Sequence, residues 1–338
     1  MRAFLDEQQS LHNPKNFMAA GQLRPSPEEP FRVDVLKWGA EAAGCTFEAP
    51  EDAGMAPIEA VHDAAYLTFL QTIHARWQGI PGAADEVIPN VHPRGRGDGY
   101  PSGPVGQAGY HQADTACPIS AETWTSAYWS AQSAVSATRA VLDGAPAAYA
   151  LCRPPGHHAY TDQAGGFCFL NNSAIAAQYL LETGRRPVIL DVDVHHGNGT
   201  QGIFYSRGDV LTVSIHADPT AFYPFFWGYA GEIGEGDGKG TNLNLPLAMG
   251  SGTDEMLAAL DTSFDAIRAF EADVIVVALG LDAHEADPFQ AFKVTTPGFE
   301  KMAQAIAGQG LPLICVQEGG YVSKALGEAA TAFLGGLG

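Results

Sequence analysis

PVILDVDVHHGNGT, residues 187–200, opens as buried-strand material and closes on two aspartates and two histidines. Side chains alternate along a strand, so Asp191, Asp193 and His195 fall on one side, with neighbours at i and i+2 roughly 6.6–7 Å apart at Cα. Asp193 and His195 can therefore converge on one ion. A third ligand must come from another strand end, and Asp282, after the apolar run 273–281 (DVIVVALGL), is the natural candidate. Two carboxylates and one imidazole suit a borderline divalent cation such as Zn²⁺, with a position left open for water. A lone Asp or His in such a place is usually a cap or a satisfied core residue. The run DVDVH, paired with a distant LD at a second strand end, favours the metal.

Working outward, the second half alternates between strand and helix. Helices are predicted over 171–183, 253–271 and 297–308, and strands over 187–194, 209–216, 273–281 and 311–317. Apolar, β-branched strands between helices imply a parallel sheet covered on both faces. The fold class is thus α/β: one three-layer αβα domain spanning 1–338 around a mostly parallel sheet. In the first half, Arg2–Asp6 reads as an edge strand. Glu122–Asp143 reads as a helix with Ser120 as N-cap and Gly144 as the stop. Between them, about 79–118 is a long Pro/Gly-rich insertion loop, and loops of that length are more often functional than not.

Parallel α/β sheets build their sites at the carboxyl ends of strands. Besides 187–200, three segments place ionisable groups there: RPPGHHA (153–159), GLDAHEADP (280–288) and EGGY (318–321). His157 and His158 are candidates for proton transfer near a metal-activated water. Asp191 and Asn198 flank the ligand pair and are placed to fix the histidine tautomers. Gly319 and Gly320 let the backbone approach closely and hold Tyr321 at the rim, where a phenol can donate to a developing oxyanion.

The composition narrows the partners. Lys+Arg number 18 against 38 Asp+Glu, a formal charge of −20. Nucleic acid and anionic membranes are poor partners for such a chain, whereas a cationic ligand is favoured. Five cysteines without a CxxC pair point to free thiols in a reducing compartment, hence a cytoplasmic location. The start, MRAFLDEQQS, has no secretory h-region, and no apolar run approaches ~18 residues.

The ordered set RPPGHHA, GGFCFLNN (165–172), LDVDVHHGNGT, GLDAHEADP and EGGY resembles the histone deacetylase superfamily, in the arginase–deacetylase fold. Within it, FLDEQQSLHNP near the N-terminus and the long loop resemble the acetylpolyamine amidohydrolases. The resemblance implies catalytic Zn²⁺ on Asp193, His195 and Asp282, with His158 as general base and acid. His157 would be its electrostatic partner, held by Asp191, and Asn198 would orient His158. Tyr321 would stabilise the oxyanion. Gly166, Phe167, Tyr223 and Phe225 would line a narrow tunnel. A structural K⁺ would sit among Asp191, Asp193, His195, Ser214 and Ile215, and the long loop would pack against a second copy in a homodimer. The implied substrate is a small cationic acetylated amine, with Glu7, Asp114 and Glu285 as candidate rim carboxylates. Polyamine-type relatives place an acid just ahead of GQxGY, where this chain has Val105.

Three other readings stay open at this level. A lysine deacetylase acting on acetyl-lysine peptides shares every catalytic residue. An arginase-like ureohydrolase needs two Mn²⁺ and more bridging carboxylates, which the His-His pair and EGGY argue against. A non-catalytic binding protein would be expected to lack a ligand, the base or the tyrosine, and none is lacking.

Overall fold

A computed structural model describes residues 1–93, 95 and 99–338. The loop expected at 79–118 includes positions 94 and 96–98, which lie outside the described residues. The strands are β1 (Arg2–Phe4), β2 (Asn16–Ala19), β3 (Gln22–Pro25), β4 (Thr46–Glu48), β5 (Ala147–Ala150), β6 (Pro187–Asp191), β7 (Leu211–Ala217), β8 (Asn242–Leu247), β9 (Val274–Leu279) and β10 (Leu313–Gln317). The helices are α1 (Phe31–Ala42), α2 (Ala56–Glu59), α3 (Ala64–Gln78), α4 (Pro104–His111), α5 (Thr123–Leu142), α6 (Asn172–Glu182), α7 (Asn198–Phe204), α8 (Thr253–Phe270), α9 (Thr296–Ala307) and α10 (Leu326–Gly336).

Eight strands form one sheet in the order β4-β1-β5-β10-β9-β6-β7-β8, parallel at every pairing. β2 and β3 pair separately as an antiparallel hairpin. The near-continuous apolar strands read from the sequence are the ones buried on both faces. Val188, Leu190, Ile275, Val277, Leu313 and Cys315 pack toward α1, α8, α9 and α10, through Leu36, Phe264, Phe299 and Phe333. Ile189, Val276, Ala278, Ile314 and Val316 pack toward α3, α5 and α6, through Phe69, Ile73, Val135 and Ile175. Each Val, Leu, Ile or Phe among them contributes about 1.5–3 kcal/mol by leaving water.

Several boundaries differ from the sequence reading. β1 is not an edge strand: it lies between β4 and β5. The edges are β4 and β8, which the sequence hid. β4 is three residues long and mostly exposed, and β8 carries Asn242, Asn244 and Pro246 among its apolar positions. The long loop holds a helix, α4, masked in the sequence by its glycines and started by Pro104. Ser120 does not cap α5; its amide instead donates to the Thr123 hydroxyl at 2.9 Å. Asn171 does cap α6, accepting from the Ala174 amide at 2.9 Å. β6 stops at Asp191, short of Val194, because the Val194 amide donates to Asp282 Oδ1 (3.0 Å) rather than to a neighbouring strand. Among the described residues no helix is long and apolar enough to cross a membrane. All five cysteines are free and buried.

Phe333, fully buried on α10, tests the outer layer on this face. Phe333→Ala should destabilise the chain by about 3–5 kcal/mol, seen as a lower midpoint in urea. An unchanged midpoint would mean that α10 does not seal this side of the sheet.

Candidate active site

The four central strands β5, β10, β9 and β6 are neighbours, and their carboxyl ends deliver 153–159, 318–321, 280–288 and 191–198 to one place. Asp193, His195 and Asp282 bring one ligand atom each to within 4.8 Å of one another, all buried. His195 Nδ1 lies 3.1 Å from Asp193 Oδ1 and 3.2 Å from Asp282 Oδ2. The other carboxylate oxygens are held by backbone: Gly319 N–H donates to Asp193 Oδ2 at 2.8 Å, and Val194 N–H to Asp282 Oδ1. Asp282 Oδ2 accepts no hydrogen bond although it is buried. An orphaned buried carboxylate oxygen aimed at an imidazole nitrogen and a second carboxylate is the cradle a divalent cation would fill. A Cβ on Gly319 would come within 2.1 Å of Asp282 Oδ2 and 2.5 Å of Asp193 Oδ2, so only glycine admits this packing.

The electrostatics agree with a cation-ready cluster. Burial works against a charged His195, but Asp193 and Asp282 outweigh it and push its pKa up to about 9. A proton and a metal ion are alternatives at that nitrogen, since the carboxylates favour any positive species there. Burial raises Asp282 and Asp191, whereas His157 and His195 hold Asp193 low against its own burial.

His157 and His158 stack with ring centroids 4.0 Å apart but occupy opposite environments. His157 Nδ1 sits 2.9 Å from Asp191 Oδ2. Burial opposes its charge, yet Asp191 and Asp193 prevail and raise it to about 10. His158 Nδ1 sits 2.6 Å from Asn198 Oδ1, an amide that orients the ring without charging it. Burial, then His157 and His195, drive His158 well below the usual imidazole value. At neutral pH it is therefore an unprotonated base, and the pairing of each histidine follows from the residue behind it.

Tyr321 stands just beyond the carboxyl end of β10 and is only 3% exposed there. Its ring lies beneath Arg32 (4.9 Å) and against Phe289 (5.0 Å) and Phe167 (5.8 Å). Its amide donates to Asp287 Oδ2 at 3.0 Å, and Asp287 Oδ1 also accepts from Phe289 N–H at 2.8 Å. Burial raises the phenol well above its usual value, so it stays a neutral donor.

A pocket of about 860 Å³ opens onto His158, His195 and Tyr321. Gly166, Phe167, Tyr223 and Phe225 all line it. Gly166 is obligatory, since a Cβ there would meet His158 Cδ2 at 2.3 Å. Of the three candidate rim acids only Asp114 reaches the wall, where it accepts from Tyr223 Oη at 2.6 Å and Gly166 N–H at 3.1 Å. Glu7 is exposed outside the lining, and Glu285 borders a separate surface groove with Lys324. For the proposed K⁺ site, the register sets Asp191 opposite Ser214 across β6–β7, and both border a small cavity. Ile215 and His195 are not part of that lining. Sequence reasoning missed Phe222, stacked on His195 at 4.8 Å, and Phe289, edge-on to it at 5.2 Å. Both abut residues that were read, Tyr223 and the GLDAHEADP run. Phe17, on the β2–β3 hairpin, gave no signal; it packs 5.7 Å from Phe167.

Residues 26–337 match the histone deacetylase domain model. The chain belongs to the histone deacetylase family. It is 47% identical to the acetylpolyamine amidohydrolase of Burkholderia pseudomallei, over 100% of this chain and 99% of that one. It is 41% identical to that of Mycoplana ramosa, over 100% and 99%. Among solved structures, the crystal structure of an acetylpolyamine aminohydrolase from Burkholderia pseudomallei superposes with a TM-score of 0.96 at 46% identity, covering 100% of this chain and 98% of that one. The HDA15 HD domain superposes at 0.82 with 27% identity, covering 99% and 90%. The protein is thus an enzyme of the histone deacetylase family, and the geometry above is what this member brings to its strand ends.

Asp282→Asn tests the cradle directly. The substitution removes one anionic ligand and should weaken divalent-metal binding at least tenfold without unfolding the chain, read by metal titration and circular dichroism. Unchanged affinity would take Asp282 out of the ligand set.

Proposed function

We propose that the chain is a metal-dependent amidohydrolase that removes acetyl groups from acetylated polyamines and related small acetylated amines. The observation that carries this reading is one aromatic pocket reaching an unprotonated histidine, a neutral buried phenol and a three-ligand cradle at the same floor. Asp193, His195 and Asp282 would hold the ion, with Zn²⁺ the best match to two carboxylates and an imidazole. When bound, such an ion acidifies water toward pKa 7 and polarises a carbonyl.

The remaining work falls to the chain's own residues. His158 takes a proton from the attacking water as the amide carbon becomes tetrahedral, then returns it to the leaving amine as the C–N bond breaks. His157, charged against Asp191, lowers the basicity of its neighbour, and Asn198 aims it. Tyr321 donates to the carbonyl oxygen where negative charge develops. Asp287 sets the Tyr321 backbone from behind. Phe167, Tyr223 and Phe225 leave room for a slim chain and exclude water from the floor. A structural K⁺ beside Asp191 and Ser214, which face each other across β6–β7, would steady the ligand strand.

The polyamine preference draws support from the relatives' names and from Asp114. This carboxylate and Asp162 line a wall that also carries Phe17, Phe167, Tyr223 and Phe225, where a distal ammonium gains both charge and cation–π contact. A homodimer through the 79–118 segment belongs to the same reading and is supported by exposed Val91, Tyr100 and Val105 there.

The test is acetate release by the metal-loaded protein from acetylputrescine, acetylcadaverine and N-acetylspermidine, against an acetyl-lysine peptide. The small amines should lead by tenfold or more in kcat/KM. A peptide preference would make the enzyme a lysine deacetylase, and no release from any substrate would favour a binding protein. In the same assay Tyr321→Phe should keep its fold and metal and lose about 10²–10³ in kcat, the usual cost of one oxyanion donor. Full turnover would exclude the phenol from the mechanism.

A further inference from the structure

We propose that Asp114, reaching in from the long insertion, is a positioning residue that latches Tyr223 in place and so closes the pocket beside His158 to amides of branched amines. The inference rests on the reading above, a small acetylated amine as substrate, and adds which amines the site admits.

The carboxylate is fixed first within its own segment. Asp114 Oδ1 accepts from the Ala116 amide at 2.7 Å, a local turn that aspartate side chains favour. Oδ2 accepts from Gly166 N–H at 3.1 Å and from the Tyr223 hydroxyl at 2.6 Å. Three segments distant in sequence therefore meet at one side chain. Two of them are already joined by backbone: Ala113 N–H donates to Ala164 O at 2.7 Å, and Ala164 N–H to His111 O at 2.8 Å. The third, 222–227, makes only local backbone bonds, from Phe225 N–H to Phe222 O and from Phe226 N–H to Pro224 O. Among the described residues, the Tyr223 hydroxyl is its one hydrogen bond to 112–117 or 164–167. That bond is short enough to be charge-assisted, the stronger kind. Burial, and then Asp114, hold the phenol well above its usual value, so it remains the donor.

The latch matters because of where the ring stands. Tyr223 meets His158 edge-on, with centroids 5.0 Å apart at 90°, and lies 6.1 Å from His195. Phe167 packs on Tyr321 at 5.8 Å. An amide whose nitrogen faces His158 and whose carbonyl faces Tyr321 passes both rings, and the carbon on its nitrogen lies beside Tyr223. A CH₂ there is slim, whereas a methyl branch on that carbon requires the ring to swing aside. The hydroxyl already sits tight against its neighbour, since a Cβ on Gly166 would come within 3.0 Å of Tyr223 Oη. Anchored at that end, the ring is held against the swing.

The test compares acetate release, by the metal-loaded protein, from acetylputrescine and from its analogue with a methyl group on the carbon bonded to the amide nitrogen. Both carry the same distal ammonium, so charge attraction by Asp114 cancels in the ratio of their kcat/KM values. The native protein should favour the unbranched amine by about tenfold or more, the scale on which one methyl group is discriminated. Tyr223→Phe, which removes only the hydroxyl, should cut that ratio by about tenfold. Asp114→Ala should cut it at least as far, and adding Tyr223→Phe to it should change nothing more. A native ratio near one, a ratio unchanged in Tyr223→Phe, or losses that multiply in the double variant would overturn the latch. Hydrogen–deuterium exchange over 222–227 gives a readout free of substrate and should quicken in both single variants. Unchanged exchange would overturn the latch, whereas quickened exchange in a protein that releases no acetate would sink the proposed function and leave the latch standing. Should Asp114→Ala fail to fold, Tyr223→Phe decides by itself.

Discussion

Mutual repulsion among buried carboxylates is the constraint around which this protein is organised. Asp191, Asp193 and Asp282 sit in an interior that offers little solvent screening, and charges placed there without partners are costly. Each is answered locally: Asp191 by His157, Asp193 by His195 and the Gly319 amide, Asp282 by the Val194 amide. The answer is incomplete at Asp282 Oδ2, the opening that the proposed ion would fill. A site fully neutralised by protein groups would have no affinity left for an ion.

The support behind the site follows the same logic. Glu28, Arg32 and Arg153 are buried completely and paired, Glu28 with Arg32 at 2.7 Å and with Arg153 at 2.9 Å. Arg32 also donates to the carbonyls of Gly320 (2.6 Å) and Glu318 (2.8 Å), and its guanidinium covers the Tyr321 ring. The loop that carries the phenol is thus clamped through its backbone from one side by Arg32 and from the other by Asp287. Breaking a buried pair by removing one partner costs about 3–5 kcal/mol, so the positions of these side chains are fixed more firmly than hydrogen bonds alone would require.

His157 and His158 show how neighbours in sequence become opposites in chemistry. They share burial, and they differ in what lies behind Nδ1: a carboxylate for one, an amide for the other. That difference comes from Asp191 and Asn198, which stand at the two ends of the same ligand segment. The segment that carries Asp193 and His195 also sets the protonation of the histidines facing it.

Much of this was legible in the sequence. The apolar runs at 187–191, 274–279 and 313–317 could bury both faces only inside a parallel sheet, and the polar residues at their ends marked the site edge. Side-chain alternation placed Asp193 and His195 together, because strand geometry is local. What the sequence could not decide is anything that depends on packing between distant segments. The depth of Tyr321 is set by Arg32, 289 positions away. The loss of Glu285 from the pocket and the place of Asp114 in its wall depend on which surface each loop crosses. The identity of the edge strands rests on β4 and β8, too short or too polar to announce themselves. Local periodicity fixes elements and their faces; partners across the fold fix burial and charge, and those are settled only when the chain has closed on itself.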